Sequence, residues 1–506
     1  MQSSKAILSE QLADQQESPY NPPLRDLRSR FSLGHLFRNG EAAEHFAIRF
    51  ALVIYLLFQI NAAFHHGSWG QDFESQKAWT SHAFADPWHF LIAAEATRPE
   101  PPLYHLLAAL VVKITGEVHY LEVIALFSIA INTVALVVYY KLLRLLLDDR
   151  LIRIAGFLFL TFLPVFMIHA VVLATDALCV PIAVVTYYLL IRVSREQDSR
   201  KIKRYLVGIT CTLLIGMANK FLFVSQGVAV LIALAIFVWT HRLRRVDVIK
   251  GFVAVLLLTI AETTMILRVK ASLAFNTTVG TEMTPHDILL LHRPDIHILN
   301  APPYNRAADP RDGTPVTFPY ELLRFHRYSY AALVHLGIFT DILNIYQYDP
   351  TDSYFGARSQ TNQKRMQVAV KTGLLFSVSG LILTALMIFK SFYGSIVRRR
   401  SEDAEQAALA TCGLGWFLNI VVFLPAVPAY PGGFWPPRLI LPALLCFTVL
   451  SAVAIERLLA RRPRTWAKTI LAIVVLQSLL QLSFLWPWGI LQGQTVEGYP
   501  KTHNPS

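Results

Sequence analysis

FAIRFALVIYLLFQINAAFHHGSWGQDFE, running from Phe46 to Glu74, decides the fold. Its apolar part, 46–64, carries one charge, Arg49. It is long enough for a transmembrane helix, which needs about 20 mostly apolar residues. Lipid offers no partner to an unpaired backbone group, so a segment of this kind must be helical. Asp72 follows almost at once, in Trp69-Gly70-Gln71-Asp72-Phe73-Glu74. A carboxylate at membrane depth costs about 2.5–3.5 kcal/mol on insertion scales. Acids kept at such places usually face a cavity and serve chemistry or transport.

The same pattern recurs along the 506 residues, of which 54% are hydrophobic and 16% charged. Apolar windows lie at 46–64, 121–142, 152–171, 177–193, 204–219, 221–240, 249–267, 368–390, 405–425, 438–455 and 468–486. The expected fold is all-α, a polytopic integral membrane protein of about 11 transmembrane helices. The net charge of +12 would suggest nucleic acid in a soluble chain. Here Lys and Arg gather in short loops: Arg25 to Arg38, Lys141 to Arg153, Arg192 to Arg204, Arg242 to Lys250, Arg398 to Arg400 and Arg457 to Lys468. Eleven spans put all six clusters on one side, the cytoplasmic one by the positive-inside rule, and no nucleic-acid partner is needed. Residues 101–115 are apolar but short, and counting them as a span would flip every later loop and put the basic clusters outside. They are expected to form a juxtamembrane helix within the first external loop.

Cys179, Cys211, Cys412 and Cys446 all fall in apolar windows with no CxxC spacing, so no disulfide framework or zinc site is expected. The first 45 residues are polar and lack a short apolar segment with a cleavage site, so the first span is expected to stay as an anchor. The expected organisation is a cytoplasmic tail over 1–45, a transmembrane catalytic module over 46–267 and an external loop region over 268–366. C-terminal helices over 367–486 and an external tail over 487–506 complete it. Within the loop region, Tyr328 to Tyr346 is read as a surface helix, and Asn276-Thr277-Thr278 matches a glycosylation acceptor.

Asp176, in Ala174-Thr175-Asp176-Ala177-Leu178, is the second acid expected on the outer side. Its structural role would be to cap a helix beginning at Ala177. Thr175 could cap as well without adding a charge, which favours a functional role. Asp72, for its part, is either an ordinary loop charge or a carboxylate placed to take a proton from an acceptor. Lys220, Arg438 and Arg98 return to the same face and are candidate phosphate ligands, against the plainer reading of cations reaching for the interface. Glu74, His65, His66, His105 and Tyr104 are supporting candidates. No cofactor is assigned from the sequence; a divalent cation at Asp72 and Glu74 stays open, although two acids alone rarely suffice.

The order of these features resembles the C-type (GT-C) membrane glycosyltransferase superfamily, which includes protein O-mannosyltransferases and the aminoarabinose transferase of lipid A. An acid follows the first span (Asp72). Pro101-Pro102-Leu103-Tyr104 is similar to a His-Pro-Pro-Leu pattern, with Glu100 in place of the His. Leu163-Pro164, Asp176-Ala177-Leu178 and Gly216 to Lys220 follow, with Asn219 where the family has Thr. Arg438-Leu439-Ile440-Leu441-Pro442 is similar to Arg-Tyr-Leu-Leu-Pro, with Leu439 in place of Tyr. The resemblance implies a polyprenyl-phosphate-linked sugar donor and an extracytoplasmic acceptor (protein, lipid or polysaccharide). It makes Asp72 the general base or acceptor-orienting acid and Asp176 the second acid. Lys220 and Arg438 would stabilise the leaving phosphate. Such an enzyme belongs in a bacterial inner membrane or, as the alternative, an endoplasmic reticulum. The rival function is a transporter or lipid flippase using the same acids; against it stand the lack of an evident internal repeat and the acids' position at span ends.

Overall fold

The structure, a computed structural model, describes residues 40–66, 73–92, 101–116, 119–171, 173–220, 222–274, 338–339, 360–418 and 440–489. The chain divides into two compact units, Met1–Phe50 and Ala51–Ser506. Of the first, only the opening turns of helix α1 (Gly40–His66) are described, with Phe46 stacked on Phe50.

The described residues of the second unit are helical almost throughout. After α1 come three shorter helices, α2 (Phe73–Ala85), α3 (Pro87–Ile92) and α4 (Leu103–Thr115). Then follow α5 (Tyr120–Leu146), α6 (Arg150–Thr161), α7 (Pro164–His169), α8 (Asp176–Arg195), α9 (Ser199–Asn219), α10 (Phe223–Trp239) and α11 (Arg245–Ala274). The last group is α12 (Gln360–Phe392), α13 (Ala404–Leu418), α14 (Leu441–Leu459) and α15 (Thr465–Gly489). Every apolar window of the sequence holds a helix, and among the described residues six helices are long and apolar enough to cross a membrane by length and composition. Their outer faces are greasy: Leu381 is 72% exposed and Phe389 74%. Amides and hydroxyls such as Gln226, Asn132 and Thr186 are instead buried. This inversion belongs to an integral membrane protein, where lipid is the outer solvent.

Two helices depart from the sequence expectation. The window 152–171 is not one helix but two, because Pro164 has no N–H to continue α6; the chain turns extended at Leu163 and Pro164 opens α7. The other departure is α8, which begins at Asp176 rather than Ala177. Thr175 takes the N-cap place without a capping side-chain bond.

Proline also shapes the middle of α8. Pro181 cannot donate to the Ala177 carbonyl four residues back. Asn132 of α5 fills that gap, its Nδ2 donating to Ala177 O at 3.0 Å and to Ser128 O at 2.9 Å. A carbonyl left orphaned inside a membrane protein would cost several kcal/mol in hydrocarbon. Asn132 is accordingly buried and fixed between α5 and α8.

The basic loops meet at one end of the second unit. Arg195, closing α8, grips Glu405 of α13 with Nε and Nη2 at 2.8 and 2.7 Å. Arg242 Nε donates to Ser401 O at 2.8 Å, Arg457 pairs with Asp403 at 3.3 Å, and Glu456 accepts from the Asp148 N–H at 2.7 Å. These contacts join five of the connections that the charge pattern assigns to one side. The 20 residues of α8 span about 30 Å, the thickness of the hydrocarbon core, so Asp176 lies at the opposite end.

Candidate functional site

At that opposite end, Asp176 and Lys220 meet. Lys220 follows α9 in an extended conformation (φ −157°), its N–H held by Gly216 O at 2.8 Å. Gly216 lets Phe223 close on this turn: a Cβ there would stand 2.5 Å from the Phe223 ring. The turn sends the Lys220 side chain back to the start of α8, where Nζ pairs directly with Asp176 Oδ1. Thr175 Oγ1 lies 3.5 Å from the same ammonium. Asn219 supports the arrangement from the preceding position, its Nδ2 donating to Thr175 O at 3.0 Å. Asp176 is 4% exposed and Lys220 7%, so both charges are withdrawn from solvent and each has its partner in the other.

The walls of this polar nest are apolar. Tyr104, Leu178, Met217, Phe223, Trp416 and Ile440 belong to the surrounding core, with Trp416 set edge-on to Phe223 at 4.9 Å. Ile440 and Ala443 bring the start of α14 to the same core. Tyr104, at the start of α4, lies within electrostatic reach of Asp176 and beside Ser128 and the Ala174 carbonyl. Burial holds its phenol well above the ordinary phenol range, so it stays protonated and can donate. Tyr104 Oη and Ser128 Oγ are buried next to each other and to the Ala174 carbonyl.

His105 sits beside Tyr104 but faces the other way. Its Nδ1 is 3.2 Å from Thr80 Oγ1, and its ring packs edge-on against Trp79, Phe90 and Tyr104. It ties α4 to α2 and α3 and holds Tyr104 in place.

The structure thus brings together three sequence candidates, Asp176, Lys220 and Tyr104, with His105 behind them. Asp72, Arg98 and Arg438 lie outside the described residues. His65, His66 and Glu74 stand on described helices, α1 and α2, but nothing is described of their side chains. Of the surface helix expected over 328–346, only residues 338–339 are described. Among the described residues no group of three or more His, Cys, Asp or Glu is placed to hold a metal ion. Sequence reasoning missed Ser128, Asn132 and Thr175 as parts of the site. Ser128 and Asn132 sit one helical turn apart on one face of the apolar middle of α5, and that was the available signal.

Residues 99–266 match the family described as dolichyl-phosphate-mannose-protein mannosyltransferase, and the matched segment holds Tyr104, Asp176 and Lys220. No match was found among proteins of curated function. Among solved structures, ArnT from Cupriavidus metallidurans in the apo state is similar at 12% identity and a TM-score of 0.46, over 84% of this chain and 62% of that one. The apo oligosaccharyltransferase of Archaeoglobus fulgidus is similar at 15% identity and a TM-score of 0.45, over 88% of this chain and 55% of that one. ArnT from C. metallidurans bound to undecaprenyl phosphate is similar at 14% identity and a TM-score of 0.35, over 83% and 78%. The chain thus spans under two thirds of the length of the first two. The resemblance to the C-type superfamily read from the sequence is borne out over the family-matched segment.

Proposed function

We propose that this chain is a membrane glycosyltransferase moving a hexose or pentose from a polyprenyl-phosphate donor to an acceptor outside the cytoplasm. The observation that carries the proposal is the buried Asp176–Lys220 pair at the outer end of α8, lined by apolar groups and within the segment matched to a lipid-phosphate-sugar enzyme family.

The chemistry needs few groups. A base removes a proton from the acceptor as the acceptor oxygen or nitrogen bonds to the sugar's anomeric carbon. The carbon–oxygen bond to phosphate breaks, and its electrons leave with the lipid phosphate. Asp72 is the proposed base. Lys220, with Arg438 and Arg98, takes up the charge growing on the leaving phosphate. Asp176 holds Lys220 in position before the donor arrives and is the second acid of the site. Tyr104 is proposed to donate to a donor oxygen. The donor's polyprenyl tail lies in lipid, so a charged site against an apolar wall at the membrane edge lets it enter sideways. The catalytic module is proposed to extend over 46–267, with 268–366 meeting the acceptor, in a bacterial inner membrane.

The test is a reconstituted transfer assay with labelled polyprenyl-phosphate hexoses and pentoses. Release of polyprenyl phosphate together with labelled acceptor supports the proposal. Movement of intact donor across the bilayer without any covalent product overturns it in favour of a flippase.

A further inference from the structure

The opposite end of the molecule holds a cavity that transfer chemistry does not use. It measures about 570 Å³, and among its lining residues are Trp239, His241, Arg242, Arg244, Arg399 and Glu196. It lies among the basic loops, at the cytoplasmic side by charge pattern. We infer that this cavity binds the phosphate-bearing headgroup of an anionic membrane lipid.

Charge is the first observation. Three arginines face one carboxylate, and that carboxylate is engaged by its own loop: Glu196 Oε1 accepts from the N–H groups of Gln197 and Asp198 at 3.2 and 3.3 Å. Arg242 is anchored through Nε on Ser401 O, which fixes the plane of its guanidinium. Arg399 lies over the Trp239 ring at 4.2 Å, and Trp239 Nε1 donates to Ile396 O at 3.2 Å. Arg242 and Arg399 are thus held cations, and arginine's fork suits phosphate oxygens.

Backbone conformation is the second. Among the described residues, two non-glycine residues have positive φ, His241 at 57° and Arg399 at 53°, and both line this cavity. Each closes a helix end. At α10, Arg242 N–H reaches Phe237 O and His241 N–H reaches Val238 O, the pattern in which the left-handed residue is usually glycine. At the π-helical turn Tyr393–Val397, Arg400 N–H returns to Gly394 O. A cation at the end of a helix suits its dipole, but it need not occupy the left-handed position, where glycine has no Cβ penalty. Both ends nonetheless place a basic side chain there, facing the same space.

Location selects a lipid over a soluble anion. Tyr393, Ile396 and Val397 beside the cavity are 43%, 50% and 65% exposed, and Trp239 is 47% exposed. An amphipathic ring at a greasy rim marks the headgroup level, with room for acyl chains alongside. Basic pockets between helices on the cytoplasmic side are where acidic headgroups settle.

The experiment uses the full chain in a neutral detergent. Native mass spectrometry with equal phosphatidylglycerol and phosphatidylcholine of matched chains is expected to show phosphatidylglycerol adducts first. Phosphatidylglycerol, and not phosphatidylcholine, is expected to raise the melting temperature. Arg244→Gln and Arg399→Gln should each weaken phosphatidylglycerol binding about fivefold, the usual worth of one basic residue near an anionic surface. Arg200→Gln with Lys201→Gln, exposed on the same side but outside the cavity, should leave binding unchanged. Equal binding of the two lipids by the wild-type protein would overturn the inference, a result that needs no variant to fold. Equal stabilisation by inorganic phosphate alone would overturn the lipid assignment in favour of a soluble anion.

Discussion

Lys220 Nζ is paired with Asp176 Oδ1 inside the protein, across 44 residues of sequence. Neither charge reaches water to any extent, so each depends on the other. Desolvating two ions is costly, and a buried pair adds little to stability compared with apolar packing, whereas removing one partner strands the other. A pair of this kind is better explained by the ligand it awaits than by the fold it supports. Under the proposed function, Asp176 neutralises Lys220 until the donor arrives, and the donor's phosphate would share an ammonium that is already desolvated.

Breaking the pair from one side should therefore be worse than removing it. Asp176→Asn or Lys220→Met alone is expected to destabilise the protein by about 3–5 kcal/mol. The double variant Asp176→Asn with Lys220→Met should recover most of that loss. Denaturation of all four proteins in one detergent gives the cycle. Additive losses would show that the two side chains do not depend on each other.

Asn132 should matter for the fold rather than for the chemistry. Its amide satisfies the Ala177 carbonyl that Pro181 leaves open. Asn132→Ala is expected to cost about 1–3 kcal/mol, the penalty for an unsatisfied buried acceptor. Combining it with Pro181→Ala, which restores the helix's own donor, should return part of that stability. Thermal melts of both variants check this.

The helices were legible in the sequence, since about 20 apolar residues can do little else in lipid. That Asp176 and Lys220 share one end of the bundle, away from the basic loops, was legible too, from charged loops counted two spans at a time. Their pairing was not. Sequence separation hides it, and only the extended turn at Lys220 aims the side chain back at α8. The break at Pro164 was written in the sequence, yet hydropathy alone runs straight across it. The Asn132 bond needs three-dimensional register between α5 and α8, which no single helix pattern carries. Asp72, Arg98 and Arg438 rest on motif order alone.

Asp72 is proposed as the proton acceptor. Asp72→Asn should lower turnover by about 10²–10⁴ while leaving folding and donor binding intact. Transfer rates measured beside a melting curve separate the two effects. Near wild-type turnover would remove Asp72 from the reaction.

Topology has its own check. A reporter fused after Arg200 should read as cytoplasmic, and one placed between Pro302 and Pro319 as external. Accessibility of single cysteines to a membrane-impermeant thiol reagent reports the same thing. Both sites on one side would break the assignment of the basic loops, and with it the outer location of Asp176.

The most direct measurement is the affinity of the purified protein for polyprenyl phosphate, which needs no knowledge of the sugar. Wild type is compared with the double variant Asp176→Asn with Lys220→Gln, which carries the same net charge. The double variant is expected to melt close to wild type yet bind the phosphate lipid about 10–100-fold more weakly, the worth of one charge-assisted hydrogen bond. Equal affinity in the two proteins would contradict the claim that this buried pair receives the donor's phosphate.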